Sequence, residues 1–533
     1  MNWKKKDSSI NTISEVIAAN TGLTEEEFFS ENSKQKYEIY SLGPALAIII
    51  DFLKHKKPIT IVGDYDSDGI TASAILYLLF KAFGVTPRVR LPKRLSEGFG
   101  LSTSIVDEID EGLLITVDNG IVAFDAVKKA KEKGLTVIVT DHHLLDESGE
   151  LPMADAIVNP HIPGTADFAD YCGAGIAYKI AEKLLVKHPE YLDKLAGIAA
   201  IGTIADVMPL IHDNRRIVKK GLKALVNPKT RTSGLSALLK LCNLDEVITA
   251  ENIAFKIAPI LNAPGRLLDD GAMESFLVIS FEGDPVKASI MADLLNKHNE
   301  DRKAISKLFT EKIELNIAEN NLVGKCPMCI YEPDVPEGIV GILAGRVAEK
   351  FDTACFVFTD SSDPNVLKGS GRSAKGVDLK FILDQNEDCF TRYGGHEAAA
   401  GVSVERARFA EMDERLQKTV AREYKDLDKE VDDTIYYDLE IDTSQVVETL
   451  QELEKYEPFG EGNPKPVFLV KNFVLYPKYG SFYRVMGDQD QHIKLFGENV
   501  DGLGFDKTME YLNENEPKTM NLVGTLSTNF FMG

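Results

Sequence analysis

A chain of 533 residues exceeds the roughly 250–300 residues at which a single core stops growing, so three or four domains are expected. Its 44% hydrophobic and 27% charged residues include no apolar run near the roughly 20 residues of a membrane span. The N-terminus has lysines but no apolar stretch behind them, which excludes a secretion signal. A formal charge of −23 excludes a surface built to coat nucleic acid, yet suits a site that must itself be acidic to hold cations.

Residues 1–45 read as a helical lead-in. From 46 to 215 short apolar strands alternate with helices, which predicts an α/β domain around a parallel sheet. Strands are expected at 59–62, 113–117, 135–140 and 155–159, and helices at 70–83, 121–134, 173–187 and 192–205. Residues 216–320 read as mostly helical. Within them 285–317 carries no glycine and no internal proline, so one long helix is expected to link two lobes. A second α/β domain is expected over 321–430, with glycine-rich turns at 337–346, 369–373 and 394–401. Residues 431–533 alternate like a small β-barrel. No internal repeat or low-complexity tract interrupts this order. Charge is uneven: 425–442 is acidic, whereas Lys54–Lys57, Lys93–Arg94 and Arg215–Lys220 are locally basic. Six scattered cysteines (Cys172, Cys242, Cys326, Cys329, Cys355, Cys389) fit free thiols in a reducing cytoplasm. The lone Cys326–Cys329 pair, with no second such pair, is incidental.

In open parallel sheets the residues just beyond strand C-termini line the ligand crevice, and three acidic segments fall there. The first, 63-GDYDSDGITAS-73, places Asp64, Asp66 and Asp68 at alternate positions, which an extended segment turns to one side. Three close carboxylates repel one another unless cations relieve them. A calcium-hand loop is excluded, because its twelfth position calls for Glu and here is Ile75. The plain alternative is a helix cap with solvated acids. The second segment is Asp118 before Asn119-Gly120, which on its own would be an ordinary turn. The third is Asp141-His142-His143, whose adjacent rings point apart, so one can ligate a metal while the other serves substrate. A fourth acid, Asp206, stands among apolar residues, where an unpaired charge is costly. Carboxylates with one imidazole favour Mn²⁺ or Mg²⁺ over a thiolate zinc site, and paired ions of this kind clamp in-line displacement at phosphorus.

The order DYDSDG, VDNG, TDHH, GTIADVMPL resembles the DHH phosphoesterase superfamily. The segments 97-EGFGL-101, 259-PILNAPGRL-267, 338-GIVGILAGR-346, 369-GSGRS-373 and 394-GGHEAAAG-401 narrow the resemblance to its RecJ branch, over roughly residues 45–470. The resemblance implies metal ligation by Asp66, Asp68, Asp118, His142 and Asp206, with Asp64 in the same string. It places His143, Asp141 and His396 as catalytic groups. It assigns Arg266, Ser370, Arg372, Gly394, Gly395 and His396 to substrate binding, with backbone N–H groups at 369–373 approaching a phosphate. It implies an OB-fold at the C-terminus, and Tyr456, Phe459, Phe468, Phe473, Tyr476, Phe482 and Tyr483 as aromatics that either stack bases or fill the barrel core.

The implied activity is 5′→3′ removal of mononucleotides from single-stranded DNA with two Mn²⁺ or Mg²⁺ ions, in DNA recombination and repair. The implied setting is a cytoplasmic monomer working beside a single-strand-binding protein or helicase. A phosphodiesterase of short oligoribonucleotides or cyclic dinucleotides is disfavoured by the third block. A pyrophosphatase of similar fold is disfavoured by the linker helix and that block. A silent scaffold is disfavoured because all candidate ligands are present. The end at 528-TNFFMG-533 is short for this family.

Overall fold

The computed structural model describes residues 2–29, 37–146, 148–374, 376–424, 434–487 and 490–528. Residues 425–433 of the acidic stretch and 529–533 at the chain end lie outside them. The chain divides into two compact units. One comprises Tyr37–Asp206 and Lys220–Glu430; the other comprises Met1–Lys36, Val207–Lys219 and Val431–Gly533. Among the described residues no helix is long and apolar enough to cross a membrane.

The larger unit holds two sheets. The first has strands β1 (Ile59–Val62), β2 (Arg88–Arg90), β3 (Leu113–Val117), β4 (Thr136–Thr140) and β5 (Ala156–Val158), all parallel, in the order β2-β1-β3-β4-β5. β1 and β3 are buried at every position, which explains their near-continuous Ile, Leu, Val and Thr: helices cover both faces of such a sheet. Helix α1 (Ser67–Ala82) follows β1 and packs against α2 (Gly173–Leu184) and α3 (Pro189–Ala205). Helix α4 (Ala258–Leu267) and the 35-residue α5 (Pro285–Glu319) lead to the second lobe, so the expected long helix is present.

The second sheet holds β6 (Met328–Tyr331), β7 (Ala354–Asp360), β8 (Val366–Ser373), β9 (Arg392–Gly395) and β10 (Ala399–Glu405), in the order β9-β10-β8-β7-β6. Only β6 and β7 are parallel; the other pairs are antiparallel. Helix α6 (Val340–Phe351) covers it. The segments expected as glycine-rich turns are therefore a helix start (337–346), a central strand (369–373) and an edge hairpin (394–401). The strand glycines are needed for packing: a Cβ at Gly371 would lie 2.4 Å from Cε1 of Phe356, and one at Gly369 would lie 2.6 Å from Cδ1 of Phe358. Gly371→Ala is expected to cost about 1–3 kcal/mol by overpacking, seen as a lower calorimetric melting temperature. Gly401→Ala on the neighbouring strand meets nothing within 4 Å and is expected to be near neutral.

The smaller unit takes up most of the lead-in. Trp3–Lys5 pairs in parallel with Ile435–Tyr437, and the helix Ile13–Thr21, closed by a Thr12–Glu15 capping box, shares a core with Leu439, Tyr456 and Phe468. Sequence proximity hid this, because the strand's partner lies more than four hundred positions away. Buried Arg215 donates to the carbonyls of Tyr456, Glu457 and Pro458 beneath the Phe28 ring. Two three-stranded sheets follow, Leu439–Asp442 with Phe468–Val474 and Thr519–Gly524, and Tyr483–Met486 with His492–Leu495 and Gly502–Gly504. Tyr456, Phe468 and Phe473 are buried, and Phe459, Phe482 and Tyr483 pack against the two cores, so six of the seven aromatics fill space; Tyr476 is exposed.

Candidate metal centre

The strand order reverses direction between β1 and β3, and a parallel sheet opens its ligand crevice outside the strand ends at such a reversal. β1 runs into Gly63 and Asp64, β3 into Asp118, and β4 into Asp141, His142 and His143. Asp118 takes the left-handed conformation at φ 61°, which Asp and Asn tolerate better than other side chains. Asn119 pins that turn: its Nδ2 donates to the carbonyls of Val117 (2.9 Å) and Val62 (3.2 Å), and its Oδ1 accepts from Leu101 N (3.0 Å).

The aspartate string does not stay extended. α1 begins at Ser67, with Asp66 as its cap: Oδ1 accepts from the N–H groups of Asp68 (2.9 Å) and Gly69 (3.1 Å). Asp68 therefore reaches the cluster from a helical turn rather than by strand alternation. Its two oxygens accept from Gly173 N (2.6 Å) and Ala174 N (2.8 Å) at the amino end of α2. Close approach dictates glycine there, because a Cβ at Gly173 would lie 2.5 Å from Asp118 Cβ and 2.9 Å from Asp68 Oδ2. Asp206 ends α3, and one turn earlier a Cβ at Gly202 would lie 2.9 Å from Asp68 Oδ1.

These elements bring Asp64, Asp66, Asp68, Asp118, His142, His143 and Asp206 together. Nε2 of His142 lies 3.0 Å from Asp118 Oδ1, 3.5 Å from Asp206 Oδ2 and 3.8 Å from Asp68 Oδ2. Asp64, Asp66 and Asp118 form a second group whose ligand atoms lie within 4.8 Å of one another. Burial and the Asp66 charge raise Asp64 well above the usual carboxylate range, and burial with the Asp68 charge does the same to Asp118. Burial and the same neighbour push Asp206 up to about 9, while burial lowers His142 and keeps its ring neutral. Oδ1 of Asp64, Oδ1 of Asp118 and Oδ2 of Asp206 are buried and accept no hydrogen bond. Orphaned buried acceptors of one charge lack a cation rather than a donor. Hard oxygens with a neutral imidazole fit a pair of Mn²⁺ or Mg²⁺ ions.

Asp141 is not part of that wall. Its oxygens accept from the N–H groups of Ile121 (2.9 Å), His142 (2.8 Å) and His143 (3.1 Å) and meet Nδ1 of His143 at 2.7 Å. These contacts orient the two histidines that follow it. Burial opposes a charged His143 ring, but the Asp141 bond and surrounding carboxylates outweigh it and raise this histidine to about 9. Beside it stands Phe99, 48% exposed, edge-on to the His143 ring at 5.4 Å and to Tyr65, which carries the Arg94 guanidinium at 4.6 Å.

The phosphate-binding expectations divide. Arg266 ends α4 and donates to Gly338 O (3.2 Å). Arg372 on β8 donates to Ser370 Oγ (3.0 Å) and Gly371 O (2.7 Å). Burial and then Arg94 lower both, Arg266 to about 10, so each stays cationic at neutral pH. Among the described residues both guanidinium groups bond to neutral oxygens and to no carboxylate. The 369–373 amides are a different matter: β8 lies between β7 and β10, so its N–H groups are spent on two ladders and cannot cradle a phosphate. The Ser370 and Arg372 side chains remain. Gly394 and Gly395 lie on an edge strand, and His396 is exposed at the hairpin tip, with its N–H donated to Ala399 O; it does not join the clustered metal-ligating atoms. Sequence reasoning misses the supporting roles of Asn119, Gly173, Gly202 and Asn262, whose Oδ1 accepts from Ser67 N (2.8 Å). The one usable signal was the i, i+4 spacing of Asn262 and Arg266.

Residues 58–203 match the DHH family, N-terminal domain, residues 320–423 the DHHA1 domain, and residues 437–533 the RecJ OB domain. Over 88% of its length the chain is 34% identical to the single-stranded-DNA-specific exonuclease RecJ of Bacillus subtilis (strain 168), and spans 59% of that protein. It is 30% identical to the RecJ of Haemophilus influenzae, with 93% of this chain and 89% of that protein covered. The crystal structure of RecJ in complex with Mn²⁺ from Thermus thermophilus matches with a TM-score of 0.79 at 26% identity, over 98% of this chain and 74% of that one. The α/β catalytic domain, long linker helix, second α/β lobe and OB-fold thus stand in the expected order, and the chain belongs to the RecJ family of DHH phosphoesterases.

Proposed function

We propose that this chain is a metal-dependent exonuclease that removes mononucleotides from the 5′ end of single-stranded DNA. The carrying observation is the set of three orphaned carboxylate oxygens, from Asp64, Asp118 and Asp206, around a neutral His142. Asp64, Asp66, Asp68, Asp118, His142 and Asp206 would hold two divalent ions, which would supply Lewis acidity and charge neutralisation for in-line displacement at phosphorus. The relatives' names support single-stranded DNA as substrate, and the family resemblance supplies the polarity.

The chain's own groups then divide the work. Asp68 keeps its carboxylate oriented through the α2 amides, and Asp141 holds His143 as a cation that donates from Nε2 to a phosphate oxygen. Arg266, with Arg372 and Ser370, grips the terminal phosphate, because half-buried guanidinium groups bonded only to neutral oxygens seek an anion. His396, with Gly394 and Gly395, approaches the strand from the second lobe. Phe99 offers an exposed ring to the terminal base. The enzyme works as a cytoplasmic monomer in recombination and repair, beside a single-strand-binding protein or helicase.

The test uses 5′- and 3′-labelled single-stranded DNA, RNA and duplex, each with Mn²⁺ or Mg²⁺. The proposal predicts release of 5′-labelled mononucleotide from single-stranded DNA alone. Cleavage confined to short oligoribonucleotides or cyclic dinucleotides, or no cleavage at all, contradicts it.

A further inference from the structure

One short segment ties together the three parts of the site that must act in register. α4 and the turn after it, residues 258–270, carry Arg266. Four residues before Arg266, on the same helical face, Oδ1 of Asn262 accepts from Ser67 N at 2.8 Å. That N–H opens α1, and the Asp66 cap takes only the next two, so Asn262 completes the support of the metal-binding loop from 195 positions away. The same segment comes close to the loop elsewhere, since a Cβ at Gly265 would lie 3.3 Å from Tyr65 O.

Three residues beyond Arg266, Asp269 holds a different loop. Its backbone oxygen accepts from Arg94 N (3.1 Å). Its Oδ1 accepts from Leu95 N (2.9 Å) and Ser96 N (3.0 Å), and its Oδ2 from Ser96 Oγ (2.6 Å). These bonds fix the loop from which Arg94 covers the Tyr65 ring, close enough to Arg266 and Arg372 to weaken their hold on protons.

We propose that Asn262 and Asp269 are positioning residues that lock the metal loop and the Arg94 loop to the helix carrying Arg266. They thereby set how far from the terminal phosphate the strand is cut. This rests on the reading of Arg266 as a phosphate contact. A clamp held rigidly relative to the metal loop admits one nucleotide between the gripped phosphate and the cut. A clamp that can shift admits two or three, because near-attack geometry is then met at more than one phosphate.

The intact chain is assayed with Mn²⁺ on a 5′-phosphate-labelled strand, and product lengths are resolved. Three variants are compared: Asn262→Leu, which removes the acceptor at similar volume, Asp269→Ala, which removes the three side-chain bonds to the Arg94 loop and leaves only the backbone one, and Asp269→Asn, which keeps an acceptor for Leu95 and Ser96. The share of label released as di- and trinucleotide is expected to rise about tenfold in Asn262→Leu and Asp269→Ala and to stay low in Asp269→Asn. In EDTA, where nothing is cut, the first two variants should also lose the preference for binding 5′-phosphorylated over 5′-hydroxyl strands. Slower cleavage with unchanged product length in both overturns the proposal. Should Asn262→Leu fail to fold, Asp269→Ala decides alone. Wild-type protein that binds both strands equally, or Arg266→Gln that keeps the preference, overturns the phosphate-contact reading itself, and the positioning role falls with it.

Discussion

Asp118→Asn is expected to lower Mn²⁺-dependent hydrolysis by more than about 100-fold and to leave the metal-free protein more stable. The lower bound follows from comparison: losing a partner outside the ligand shell already costs about 10–100-fold in metal affinity or activity, and Asp118 is proposed as a ligand itself. It is 2% exposed, and its buried Oδ1 faces Nε2 of the neutral His142 ring at 3.0 Å without accepting a hydrogen bond. Asparagine isolates charge from shape, because it also tolerates the left-handed backbone at φ 61° that alanine would strain. The gain in stability comes from the same facts. Burial and the charges of Asp68, Asp66, Asp64 and Asp206 all disfavour an ionised Asp118, so the neutral amide removes a cost that the metal-free protein otherwise meets by taking up a proton. Each kcal/mol relieved raises the melting temperature by about 2–4 °C in a domain of about 150–250 residues, and by less in a larger cooperative unit. Calorimetry with and without Mn²⁺ checks both halves: the variant melts higher than wild type without metal, and Mn²⁺ no longer raises its transition. A variant that still gains stability from Mn²⁺ and still cuts would remove Asp118 from the centre.

The second large effect is a pH dependence that metal reverses. Asp206 rises from 3.8 to about 9 on folding, and Asp64 and Asp118 move the same way. In metal-free protein the folded state therefore holds more protons than the unfolded chain above about pH 4. Stability contributed by the protonated carboxyls is complete below the unfolded value and is lost as pH climbs through the folded one, near 9 for Asp206. His143, raised from 6.5 to about 9 by Asp141 and its neighbours against the cost of burial, adds loss of the same sign over the upper part of that window. Metal-free protein should melt progressively lower between about pH 5 and pH 9. Cations need the ionised carboxylates, so Mn²⁺ affinity should rise over the same range and binding should release protons. Titration calorimetry in two buffers of different ionisation enthalpy reads the proton count. A count of zero at neutral pH, or an affinity that falls with rising pH, contradicts the arrangement.

Much of the site could be read from the chain because each part carries a local signature. Apolar runs at 59–62 and 113–117 are strands over those same residues, and the acids that follow them stand at one sheet edge. What escaped was long-range. Nothing near Asn262 announces that it caps a helix at Ser67, and nothing in GSGRS distinguishes a phosphate loop from a central strand whose glycines clear the rings of Phe356 and Phe358. The alternation of Asp64, Asp66 and Asp68 suggested a shared direction, yet Asp66 starts a helix and Asp68 finds its partners in α2. Asp141 looked like one more wall acid, and only its four donors reveal that its oxygens are already occupied. Trp3–Lys5 and the helix Ile13–Thr21 read as a lead-in because their partners lie in the C-terminal strands.

The most direct test is anomalous diffraction from a crystal soaked in Mn²⁺. Two peaks about 3.5–4 Å apart are expected, one among Asp68, His142 and Asp206, the other among Asp64, Asp66 and Asp118. No peak among these side chains, or a peak elsewhere with the carboxylates turned from one another, would contradict this assignment.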